Sequence, residues 1–60
     1  MITYKVTTVF QADWDNLFAS IFPGRQHSFS EVSGNTAVFG FSEPVTPVDL
    51  GPLVRVELIS

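Results

Sequence analysis

Residues 13 to 22, Asp13-Trp14-Asp15-Asn16-Leu17-Phe18-Ala19-Ser20-Ile21-Phe22, limit the possible folds of this chain more than any other stretch. Trp14, Leu17, Phe18 and Ile21 stand at i, i+3, i+4 and i+7, so a helix gathers them into one apolar stripe with Asp15, Asn16 and Ser20 turned away. A stripe needs something to cover, and every other periodic segment alternates as a strand does. The expectation is one full helix lying on one sheet. Asp13 is a good N-cap whose carboxylate can accept from the first-turn amides, and Asp15 favours the positive end of the dipole. Pro23 disfavours helical geometry at Phe22, and Gly24 suits a left-handed exit.

The strands follow from period-two alternation. Ile2 to Phe10 sets Ile2, Tyr4, Val6, Thr8 and Phe10 on one side, expected to face the helix, with Thr3, Lys5, Thr7 and Val9 on the other. His27 to Ser33 and Thr36 to Ser42 read as a hairpin around Gly34-Asn35, where glycine takes the positive φ of a two-residue type II′ turn. That turn places Phe29 opposite Gly40, Ser30 opposite Phe39 and Glu31 opposite Val38. A three-residue loop, Ser33-Gly34-Asn35, instead sets Phe29 opposite Phe39 and puts three phenylalanines in one core; turn chemistry favours the first arrangement. Leu53 to Ile59 is the last strand, with Val54, Val56 and Leu58 inward. In the connection between, Thr46 reads as N-cap, Pro47 as N1 and Asp49 as the answering acid of a single helical turn, closed by Gly51 and Pro52.

The order β-α-β-β-turn-β implies a single α+β domain over 1–60. It is a four-stranded antiparallel sheet of split β-α-β type, strand order 4-1-3-2, with one helix on one face and a second helix reduced to a single turn. A meander with the first strand at an outer edge is the competing layout. In the preferred order, cross-strand charge pairing favours Lys5 opposite Glu57 over Lys5 opposite Arg55.

Composition narrows function by exclusion. The chain has no cysteine and a single histidine, so neither a disulfide nor a Cys/His zinc cage is expected, and no metal or cofactor site is read. Three basic residues at net charge −3 argue against direct nucleic-acid binding. Met1 to Lys5 lacks the basic-then-apolar opening of a signal peptide, and no apolar run reaches the length of a membrane span. The chain is expected to be complete as it stands and cytoplasmic.

Motifs add little. His27 is the one ready acid or base, and no nucleophile or orienting carboxylate neighbours it in sequence. Asp13-Trp14-Asp15 opens like a calcium loop, but Leu17 and Phe18 occupy positions five and six of that loop. Pro44-Val45-Thr46-Pro47 has PxxP spacing without a flanking base. No catalytic residue is assigned.

The positive signal is a shortage of charge. Only 15% of residues are charged against about 25% in typical soluble domains, and 45% are apolar, so part of the surface is expected to be covered by another copy or another protein. The helix-free sheet face carries the candidate interface, Lys5, Val9, Phe29, Val38, Leu53, Arg55 and Ile59, and the unblunted edge of the second strand offers another route. The expected function is non-enzymatic protein–protein interaction, as a homodimer or a small adaptor or inhibitor. The rival is an acidic inhibitor filling a basic site on a nucleic-acid-handling protein, drawing on Asp13, Asp15, Glu31, Glu43, Asp49 and Glu57.

Overall fold

A computed structural model describes residues 1–60. It contains β1 (Ile2–Thr8), α1 (Trp14–Ile21), β2 (Phe29–Ser33), β3 (Thr36–Phe41) and β4 (Val54–Leu58). The strands form one antiparallel sheet in the order β2-β3-β1-β4, the split layout rather than the meander. At the β2–β3 hairpin Ser33 pairs with Thr36, and Gly34 alone of the two turn residues has positive φ, 59°, the mark of the II′ turn. Phe29 therefore pairs with Gly40. On the other side of the sheet Lys5 pairs with Glu57 in the β1–β4 ladder.

Alternation then sorts the residues into two faces. Val6, Ala37, Phe39, Phe41 and Val54 are buried on the inner face, where Ile21 and Phe22 come down on them from α1. The core is largely aromatic: the Phe22 ring lies 4.7 Å from Phe41 and 5.3 Å from Phe18, and Phe18 lies 4.9 Å from Phe39. Offset and tilted ring pairs at these separations add to simple burial. Trp14 starts the stripe at the other end of the helix, packing on Phe39, and its indole N–H donates to the Gly34 carbonyl at 3.2 Å. Helix start and hairpin turn are thus fixed to each other.

Several local expectations are corrected. Residues 44–51 contain no helical turn. Prolines at 44 and 47 favour extended backbone, and the loop's donors go elsewhere. The Val48 N–H caps the Ile21 carbonyl at the end of α1 at 2.8 Å, while Asp49 accepts from Gly51 N–H at 2.9 Å. The loop is further held by Tyr4, whose hydroxyl donates to the Val45 carbonyl at 3.1 Å. It works as a strap beside the helix. Asp13 stands at the N-cap with extended backbone, but its carboxylate accepts from the Asn16 side chain at 2.6 Å and not from a helix amide.

The strands are also shorter than read. β1 ends at Thr8, whose buried hydroxyl donates to the Phe10 carbonyl at 2.6 Å and turns the chain, so Phe10 stays exposed. Leu58 has inward parity, yet it stands on an edge strand and is 62% exposed.

Candidate interaction surface

Helix and strap both lie on the inner side of the sheet, which leaves the outer side to be described by its rows. One row runs Glu31, Val38, Lys5, Glu57 across β2, β3, β1 and β4; the next runs Ser33, Thr36, Thr7, Arg55. All seven residues of the sequence-read surface have this parity. Phe29, Val38, Lys5 and Arg55 stand in the strands, and the ladder continues past its ends through Val9 N–H to the Leu53 carbonyl at 3.2 Å and Ile59 N–H to the Thr3 carbonyl at 2.9 Å. Val9, Leu53 and Ile59 are 70%, 57% and 50% exposed.

Charge on this face is balanced and local. Lys5 lies opposite Glu57 in the ladder, but the ion pair that forms is Arg55 Nε to Glu57 Oε1 at 2.8 Å, along one strand. Both partners are well exposed, so the pair contributes little to stability. Its value is positional, since it lines up a cation and an anion at the open edge of β4.

Phe29 has a task within the fold. It is 41% exposed, and its ring lies over Gly40, so that a Cβ at Gly40 would overlap the ring. Glycine in a strand leaves a gap in the pleated surface, and a cross-strand aromatic ring fills it. Gly40→Ala is therefore expected to lift the ring and loosen β2, lowering stability by about 1–2 kcal/mol. In a Phe29→Ala background the same change is expected to be neutral or stabilising, because alanine suits a strand better than glycine. A double-mutant cycle by urea denaturation reads this reversal of sign.

Both edges of the sheet are open. β2 is exposed along its whole length, and on β4 the edge residue Leu58 is the most exposed large apolar side chain of any strand. Alternation gives Leu58 inward parity because it reports the face of a residue and not its distance from an edge.

Elsewhere the surface offers little chemistry. His27 packs edge-on to Phe18 at 4.9 Å and lies 5.7 Å from Phe39, with no hydrogen bond to a carboxylate. No three of the histidine and acidic residues converge as a metal site would require. Two shallow clefts are present. One, of about 330 Å³, lies at Gly24 to Gln26 and Phe41 to Glu43; the other, of about 360 Å³, lies between Pro47 to Asp49 and Val54 to Val56. No helix is long and apolar enough to cross a membrane.

The class defined by these elements is a small α+β sheet protein with helix and strap on one face. No protein-family model matches the chain, and no curated protein or solved structure matches it either.

Proposed function

We propose that this chain is a non-enzymatic protein–protein interaction module that uses its helix-free sheet face to hold a second copy of itself or a protein ligand. One observation carries the reading: the outer face has no part of the chain laid over it, yet Val9, Phe29, Leu53 and Ile59 keep two-fifths or more of their surface in water there. In so small a domain that is a large share of the apolar content left uncovered. The rows of threonine and paired charge around these residues suit the polar rim of such an interface. The acidic-inhibitor reading lacks comparable support, because its acids are divided among the helix start, β2, the strap and β4 and no three converge.

The test combines hydrodynamics with capture. Sedimentation from low to high micromolar concentration is expected to show self-association, or a tagged chain is expected to retain a specific protein from its native cell. Phe29→Asp and Val38→Asp are expected to abolish association through this face while the chain still folds, Phe29→Asp at some cost in stability because its ring covers Gly40. A strict monomer that retains nothing, or an association indifferent to both substitutions, would overturn the reading.

A further inference from the structure

We infer that the open edge of β4 is a self-pairing edge, at which two copies of this chain join antiparallel about a two-fold axis through Val56 to make one continuous sheet. The inference goes beyond the interaction reading, because it adds a contact at the β4 edge, the opposite edge of the sheet from Phe29, which Phe29→Asp and Val38→Asp would leave intact. It starts from the strand's own sequence, Leu53-Val54-Arg55-Val56-Glu57-Leu58-Ile59. Laid antiparallel on itself around Val56, this segment matches at every position. Val56 meets Val56, Val54 meets Leu58, Leu53 meets Ile59, and Arg55 of each copy meets Glu57 of the other.

Backbone geometry selects the same pairing. The Leu53 carbonyl and the Ile59 N–H are bonded toward β1. Antiparallel ladders alternate, so Arg55 and Glu57 also direct their groups to β1, while Val56 and Leu58 direct both of theirs, and Val54 its carbonyl, to the open edge; the Val54 N–H turns back to the Gly51 carbonyl at 3.4 Å. The two-fold at Val56 makes Val56–Val56 a hydrogen-bonded pair and lets the Leu58 N–H donate to the Val54 carbonyl of the second copy. It makes Arg55–Glu57 the non-bonded kind, whose side chains approach more closely. Each Glu57 then has Lys5 on one side in its own sheet and Arg55 of the second copy on the other.

The inner face has a receptor ready. Leu58 is 62% exposed in the single chain, and in the paired sheet it stands beside Val54 of the second copy. There it meets the cleft of about 360 Å³ lined by Pro47, Val48, Asp49, Val54, Arg55 and Val56. The strap that replaced the expected helical turn forms one wall of this cleft.

β2 is less well matched about its centre. Pairing it with itself around Glu31 sets two carboxylates opposite each other, and pairing around Ser30 sets Glu31 against Phe29. The β4 edge matches itself in charge and in apolar side chains at once, with hydrogen-bonding groups directed outward.

Charge reversal tests this directly. Arg55→Glu alone and Glu57→Arg alone each turn two attractive cross-strand pairs into repulsive ones, and each is expected to raise the dimer dissociation constant tenfold or more, a factor of ten being about 1.4 kcal/mol. Mixing the two variants, or combining both changes in one chain, is expected to restore association. Amide exchange adds a positional readout: Val56 and Leu58 are expected to become protected as concentration rises. A dimer that ignores both reversals and protects Ser30 and Val32, or protects neither edge, would overturn the β4 assignment while leaving the interaction reading in place. A chain that stays monomeric at high micromolar concentration would overturn it too, and a foreign protein still lost on Phe29→Asp would then uphold the broader reading.

Discussion

Phe22→Ala is expected to leave this chain without a stable native state. Phe22 is 1% exposed and is the hinge of the aromatic core, with ring centroids 4.7 Å from Phe41, 5.3 Å from Phe18, 5.7 Å from Tyr4 and 6.1 Å from Phe39. Truncating a buried phenylalanine costs about 3–5 kcal/mol, through lost transfer energy and the cavity left behind. Collapse into that cavity is restricted here, because the Ile21 carbonyl just before Phe22 is tied to Val48 and the strap to Tyr4. A domain of this size has a total stability of only about 3–9 kcal/mol by the per-residue norm. One substitution thus removes most or all of it. Urea denaturation followed by circular dichroism checks the outcome, with Phe10→Ala as the comparison. Phe10 is an exposed phenylalanine beyond the end of β1, and its loss is expected to shift the midpoint little.

That contrast shows what a sequence of this kind makes legible. Alternation and helical periodicity placed the faces of β1, β3 and α1 correctly, because burial on one side is a condition for having any core. The turn residues at Gly34-Asn35 then fixed the hairpin register, and the charges of Lys5 and Glu57 identified the β1–β4 register. Phe29 followed once it stood opposite Gly40. What stayed out of reach depended on partners distant in sequence. Thr46 to Asp49 carries good local capping chemistry, but the Val48 N–H goes to Ile21 and the strap's direction is set by Tyr4. Phe22 stands at i+8 of the stripe, four residues after Phe18, but Pro23 directly follows it and ends the helix there, so the stripe closes at Ile21 although Phe22 is among the most buried residues. Leu58 and Phe10 share the inward parity of β4 and β1, and only the finished sheet shows that an edge and a strand end leave them in water. For the candidate surface, parity was enough to gather its residues on one face, whereas the matching of β4 to itself depends on knowing that β4 is an edge.

The one-sided cover of the sheet makes a second large prediction, in which the same side chain placed at adjacent positions gives opposite results. Val6→Asp is expected to abolish folding at neutral pH. Val6 is fully buried at the centre of the inner face, paired with Ala37 on one side and Val56 on the other. The one buried polar side chain in its strand, Thr8, already spends its hydroxyl on Phe10. A carboxylate placed there has neither water nor a partner, and an unpaired buried charge exceeds the stability available. Lys5→Asp moves the same group one residue along the chain and through the sheet to the exposed outer face, next to Val38 and Glu57. There it loses a favourable cross-strand neighbour and gains a like charge, a cost of about 0.2–1 kcal/mol, and the chain is expected to fold. Dispersion of amide resonances in a proton–nitrogen NMR spectrum separates the two outcomes at once. Val6→Asp folding, or Lys5→Asp failing to fold, would mean that the covered and the open face of the sheet have been exchanged.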